Sequence, residues 1–168
     1  MAQRAAKGSG KRTAKAARAA ARRGDRAVLL ALVAIAALGL GLSIYLTTVH
    51  YAGTQLACTV TSFVNCNTVT HSPESLVFGT QLPITVPGMI WFAVSGALAV
   101  WALLGREPRW LAPLQLLWGV AALLFVFYLV YAELAIIHQL CEWCTGVHLL
   151  ILASVLLAVR RMQTREPG

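Results

Sequence analysis

Charged residues are scarce in this chain, making up 12% of its 168 residues against 58% hydrophobic ones. Soluble globular proteins carry about 25% charged residues, so the composition excludes an ordinary water-soluble domain. No internal repeat is recognisable, which favours a single domain over a repeat architecture. Long apolar runs take the place of the missing charge.

A helix needs about 20 apolar residues to cross a bilayer, and four windows qualify: residues 27–48, 86–104, 111–132 and 141–159. The first is longer than the roughly 7 to 15 residues of a signal-peptide core, and no small-x-small cleavage site follows it. The sequence therefore predicts an all-α, integral membrane four-helix bundle. Residues 49–85 form a long outer loop, in which a short interfacial helix is expected.

Lysine and arginine are missing from two of the connecting segments, residues 49–85 and 133–140. Nine basic residues precede the first window, two lie between the second and third, and three follow the fourth. Because cytoplasmic segments near spanning helices are enriched in basic residues, both termini are predicted to be cytoplasmic in a multi-pass protein of the cell membrane. The two segments without basic residues then face the outside.

The chain is predicted to divide into a disordered basic tail (residues 1–26), a transmembrane redox domain (27–161) and a cytoplasmic tail (162–168). The basic tail lacks interleaved aromatic residues, which argues against nucleic-acid binding. Membrane lipid is the expected neighbour of the spanning helices, which carry small residues suited to close packing: Gly39, Ser43, Ser95, Ala99, Ala153 and Ser154.

The four cysteines fall into two pairs on the predicted outer side, where disulfides persist. Cys58 and Cys66 lie in the long loop, and Cys141 and Cys144 form a C-x-x-C motif that opens the fourth helix. The N-terminus of a helix favours thiolate, so Cys141, expected to be exposed in the first turn, is the predicted attacking sulfur. Cys144, one turn deeper, is placed to meet a small hydrophobic electron acceptor, with a quinone as the candidate.

Two alternatives compete with a redox relay. Both pairs could be structural disulfides, although a C-x-x-C motif at the start of a helix is a recurrent redox arrangement. All four sulfurs could also bind zinc, but the C-x7-C spacing is unusual for such a site, so no metal is predicted.

The loop sequence Ser72-Pro73-Glu74-Ser75 is typical of a helix start, with Ser72 as the N-cap and Pro73 in the first position. One or two amphipathic turns ending at Gly79 are expected, lying over the bundle or resting on lipid headgroups.

The chain resembles the bacterial members of the vitamin K epoxide reductase family. The resemblance rests on Cys58, Cys66 and Ser72, on Phe78-Gly79 with Pro83, and on Cys141-Glu142-Trp143-Cys144. It implies a quinone-dependent thiol-disulfide oxidoreductase that uses menaquinone or ubiquinone. It also implies a separate extracytoplasmic thioredoxin-fold disulfide oxidase as partner, because no such domain is fused to this chain.

The family resemblance implies a path in which Cys58 receives electrons, Cys66 exchanges with Cys141, and Cys144 reduces the quinone. His148 stands where vertebrate members have a tyrosine near the quinone, so it is a candidate quinone contact or, equally, a buried polar residue bonded to a neighbouring helix. Ser72 is a second candidate contact. Reduction of a quinone epoxide is the alternative activity, and a non-enzymatic membrane protein with structural disulfides is the alternative outside enzymes.

Overall fold

The fold is known from a computed structural model that describes residues 2–77, 80–105 and 107–164. Four helical spans are long and apolar enough to cross a membrane: Arg22–Ala52, Thr85–Leu103, Leu111–Ile137 and Glu142–Gln163. Each overlaps one of the four windows read from the sequence, and the described residues form no β-strand. The prediction of an all-α, four-helix membrane protein is confirmed.

The helices are α1 (Ala2–Ala52), α2 (Cys66–Thr70), α3 (Thr85–Leu103), α4 (Leu111–Tyr131) and α5 (Glu142–Gln163). A 3₁₀ turn covers Pro73–Ser75, and α4 continues into a π-helical segment, Ala132–Ile137. Residues 2–26 of the basic tail are part of α1, and alanine, lysine and arginine have high helix propensity.

In the bundle, α1 packs against α3 and α5, and α4 packs against α5. Gly39 permits the closest approach between α1 and α3, because a Cβ atom at this position would overlap the ring of Phe92. Phe92 itself is 1% exposed. Gly119 of α4 likewise faces Val155 of α5, because a Cβ atom added at Gly119 would lie 3.0 Å from the Cγ2 atom of Val155.

Arg161, near the end of α5, is the largest fully buried side chain of the described residues. Its guanidinium donates hydrogen bonds to Asp25 at 2.9 Å, to Glu107 at 2.6 Å and to Gln115 at 2.5 Å. These partners belong to α1, the α3–α4 connection and α4, so one side chain joins three parts of the bundle. The sequence analysis placed Arg161 only among the basic residues that orient the protein.

The long loop contains two short helical pieces rather than one amphipathic helix. Ser72 occupies the N-cap position of the 3₁₀ turn, but its hydroxyl donates to the carbonyl oxygen of Val69 at 2.9 Å instead of capping the turn. The expected capping bond is therefore absent: the hydroxyl is turned back toward α2, and its oxygen accepts no hydrogen bond from the N–H groups of the turn. Phe78 and the predicted helix end at Gly79 lie outside the described residues.

Candidate redox site

Cys58 and Cys66 are joined by a disulfide, with their Cα atoms 6.1 Å apart. Cys66 begins α2 and is fully buried, whereas Cys58 is partly exposed. Asn65 caps α2 by accepting a hydrogen bond from the backbone N–H of Thr68 at 3.2 Å. The disulfide therefore presents one sulfur toward the surface and the other toward the interior.

Cys141 and Cys144 are free thiols at the start of α5. Cys141 is the N-cap residue, and its sulfur accepts a hydrogen bond from the backbone N–H of Cys144 at 3.2 Å. The pKa of the Cys141 thiol lies below its usual value, chiefly because the thiol of Cys144 donates a hydrogen bond to it. This geometry supports thiolate at Cys141, the sulfur expected to react.

Cys141 was expected to be exposed, and this expectation is wrong: its exposed fraction is 0%. The long loop folds over the start of α5 and covers it. Cys66 and Cys141 belong to one buried cluster, against which Cys58 and Cys144 also pack. The structure thus gathers all four sulfur-bearing residues from two distant parts of the sequence.

Backbone hydrogen bonds align the two cysteine-bearing segments. The N–H of Asn65 donates to the carbonyl of Leu140 at 3.0 Å, and the N–H of Leu140 donates to the carbonyl of Phe63 at 2.7 Å. Asn65 directly precedes Cys66, and Leu140 directly precedes Cys141. These two bonds hold Cys66 of the loop beside Cys141 of the C-x-x-C motif.

The two middle residues of the C-x-x-C motif hold the backbone on either side of Cys58. Trp143 donates its indole N–H to the carbonyl of Ala57 at 2.8 Å. The Glu142 carboxylate accepts a hydrogen bond from the N–H of Thr59 at 2.9 Å. The motif therefore supplies the contacts that keep the loop disulfide over the start of α5.

Replacing Trp143 with phenylalanine should slow disulfide transfer between the pairs by about 2- to 10-fold. The change keeps an aromatic ring but removes one hydrogen bond, worth roughly 0.5–1.5 kcal/mol, that holds the loop. Rapid thiol trapping after addition of a dithiol measures the transfer. Trp110→Phe, at an exposed tryptophan outside the loop, is the matched control. Equal rates in both variants would contradict the holding role of the indole N–H.

The carboxylate of Glu142 and the sulfurs of Cys58 and Cys66 offer ligand atoms within 4.8 Å of one another. This group differs from the four-thiolate zinc site considered from the sequence. Two of its members are bonded to each other as a disulfide, so neither is available as a thiolate ligand.

A cavity of about 520 Å³ lies beside Cys144, between the loop and the bundle. This volume falls in the range of small-molecule sites, about 300–1,000 Å³. Apolar and aromatic side chains dominate the lining, among them Trp91, Trp118 and Phe125. A quinone ring is flat, apolar and bears two acceptor oxygens, so an apolar cavity with a few polar groups fits it.

Both candidate quinone contacts read from the sequence line this cavity. His148 lies one turn beyond Cys144 on α5 and is 8% exposed. Its ring makes no side-chain hydrogen bond with any residue the structure describes, which leaves its nitrogen atoms available to a ligand. The hydroxyl of Ser72 is already used in the bond to Val69, so His148 is the better placed of the two.

Glu133 is the site residue that the sequence analysis missed. It was assigned to an outer connection, but it lies in the π-helical end of α4, is 4% exposed and lines the cavity. The helix extends past the predicted boundary at residue 132 and carries Glu133 inward. The available signal was an acidic residue directly after a long apolar run, eight positions before Cys141.

The model of the vitamin K epoxide reductase family matches residues 30–159. A search of curated proteins gives no match to this chain. The matched range includes all or most of each spanning segment, both cysteine pairs and the residues that line the cavity. On this match the chain belongs to the vitamin K epoxide reductase family, and it is an oxidoreductase of the membrane.

Proposed function

We propose that this protein oxidises the dithiol of an extracytoplasmic thioredoxin-fold partner and passes the two electrons to a quinone, menaquinone or ubiquinone. The observation that carries the proposal is the burial of Cys66 and Cys141 in one cluster beside the cavity that Cys144 lines. Such a reaction would support disulfide formation in exported proteins.

Three exchanges balance the electrons. The partner dithiol reduces the Cys58–Cys66 disulfide and becomes a disulfide itself. The loop dithiol then reduces a Cys141–Cys144 disulfide, with Cys66 attacking Cys141 and Cys144 leaving. Finally the helix dithiol is reoxidised as the quinone takes up two electrons and two protons. Thiol-disulfide exchange proceeds by such thiolate attack.

The cysteines have the oxidation states expected after the second exchange. The loop pair is a disulfide, and the helix pair is reduced. Partial exposure of Cys58 suits it to react with a partner, and full burial of Cys66 suits it to internal exchange. Partner dithiols of the thioredoxin fold have potentials of about −120 to −270 mV, from which electrons pass downhill to a more oxidising quinone pool.

The distribution of lysine and arginine supports an orientation with both termini in the cytoplasm and all four cysteines outside. An oxidising exterior is the compartment in which such a relay operates. Residues 27–161 would form the complete membrane redox unit.

Purified protein supplied with dithiothreitol should reduce a soluble quinone analogue catalytically, followed by quinone absorbance. Thiol-trapping mass spectrometry, with and without the quinone, should show electrons leaving the Cys141–Cys144 pair when the quinone is added. A parallel assay with a quinone epoxide separates the alternative activity. Resistance of both pairs to mild reductant, with no turnover of either substrate, would contradict the proposal and favour structural disulfides.

A further inference from the structure

Glu133 is a carboxyl group inside the membrane-spanning part of α4, with 4% of its surface exposed. No lysine, arginine or histidine among the described residues forms an ion pair with it. Ionisable residues at such positions are costly to bury and mark proton or ligand pathways by default. Its carboxylate accepts a hydrogen bond from the backbone N–H of Cys141, which leaves its charge without a cationic partner among the described residues.

The surroundings of Glu133 connect two parts of the site. Its side chain lines the cavity together with Cys144 and His148. Its carboxylate also bonds the backbone N–H of Cys141, so the carboxyl group lies close to the helix pair. The Glu133 side chain therefore contacts both the dithiol that donates electrons and the cavity proposed to bind the quinone.

The chemistry of the last exchange requires proton movement. The Cys141 thiol loses its proton when it becomes a thiolate, the S–H bond of Cys144 then breaks, one S–S bond forms, and two O–H bonds form on the quinone. Cys144 lines the cavity, but Cys141 does not, and Cys141 is fully buried under the loop. Cys144 donates its own proton in the hydrogen bond to the Cys141 sulfur, so the proton that Cys141 loses on becoming a thiolate needs a different carrier to reach the cavity.

We propose that Glu133 is that carrier: its carboxyl group accepts the proton released from Cys141 and delivers it to the quinone oxygen. Glu133 ends each cycle in the protonation state in which it began, so no further reactant is needed. This inference rests on the proposed function, because it takes the quinone as the electron acceptor.

Other titratable groups border the cavity. The Nδ1 atom of His50, on α1, lies 3.1 Å from the carbonyl oxygen of Thr70. Glu74 belongs to the 3₁₀ turn. His148 lies on α5 with Cys144. Among these groups Glu133 is the one that both bonds the backbone of Cys141 and lines the cavity, which is the position a carrier between dithiol and cavity requires.

The test compares Glu133→Gln with Glu133→Asp in single-turnover experiments on protein reduced beforehand with dithiothreitol. Glutamine keeps the size and polarity of the side chain but cannot transfer a proton, so the rate of quinone reduction should fall by about 10²-fold or more, as expected for loss of an acid-base group. Aspartate keeps the carboxyl group and should recover most of the rate.

Two further measurements separate proton transfer from a structural role. Reduction of the Cys58–Cys66 disulfide by dithiothreitol should stay at the wild-type rate in Glu133→Gln, and quinone affinity, measured by tryptophan fluorescence quenching, should change far less than the rate of quinone reduction. A parallel loss in folding, affinity and exchange in both variants would overturn the inference in favour of a packing role. Wild-type quinone reduction by Glu133→Gln would overturn it as well. Absence of quinone reduction in the wild-type protein would instead reject the proposed function itself.

Discussion

Replacing Cys144 with alanine is expected to abolish quinone reduction and to leave a disulfide between Cys66 and Cys141. Without Cys144 the helix pair cannot form its own disulfide, so no two-electron donor remains beside the cavity. The Cys141 thiolate can still attack Cys66 of the loop disulfide, because both residues are fully buried in one cluster. The mixed disulfide then has no thiol at the helix to resolve it.

Non-reducing peptide mass spectrometry identifies this cross-link. Cys58 can reverse it in the single variant, so Cys58→Ala combined with Cys144→Ala should trap it more completely once an added oxidant such as diamide has taken two electrons from the Cys66 and Cys141 thiols. Cys66→Ala combined with Cys144→Ala is the matched control and should leave Cys141 reduced. Continued quinone turnover by Cys144→Ala would remove this residue from the electron path, and failure of the first double variant to cross-link would contradict the proximity of the two inner sulfurs.

Replacing Arg161 with alanine is expected to lower the free energy of unfolding by about 3–5 kcal/mol, the usual cost of removing one partner of a buried ion pair. Arg161 is 1% exposed and bonds Asp25 and Glu107, of which Glu107 is itself 11% exposed. Its removal leaves two carboxylates and the amide of Gln115 without their guanidinium. The penalty comes from the lost charge-assisted hydrogen bonds as well as from lost packing.

Unfolding in detergent micelles with increasing denaturant measures this effect. Arg160→Ala is the matched control, since Arg160 is the exposed neighbour on the same helix and should change stability by less than about 1 kcal/mol. Equal stability of the Arg161 and Arg160 variants would show that the buried network contributes little.

The spanning helices follow directly from composition, because a bilayer core demands long apolar runs and closed backbone hydrogen bonding. The cysteine pairs could also be read from spacing, and Cys141 does sit at the start of α5. Burial of Cys141 could not be read in this way, because it depends on how the loop folds back over α5. A local pattern states where a helix begins but not what covers it.

The burial of Glu133 and Arg161 could not be predicted from local sequence either. Both are charged residues at the ends of apolar windows, where solvent exposure is the default expectation for a charged side chain. The π-helical extension of α4 turns Glu133 inward, and three partners from separate segments enclose Arg161. These positions depend on contacts between distant residues, which no single window of sequence contains.

Backbone pairing between Asn65 and Leu140 makes the meeting of Cys66 and Cys141 an intramolecular event at high effective concentration. Closing the long stretch of chain between the two cysteines costs conformational entropy, and this cost grows only slowly with the length of the stretch. The entropy is lost when the protein folds and not again in each exchange. Transfer between the two pairs is then independent of how much partner or quinone is present. The supply of those two reactants limits only the first and last exchanges.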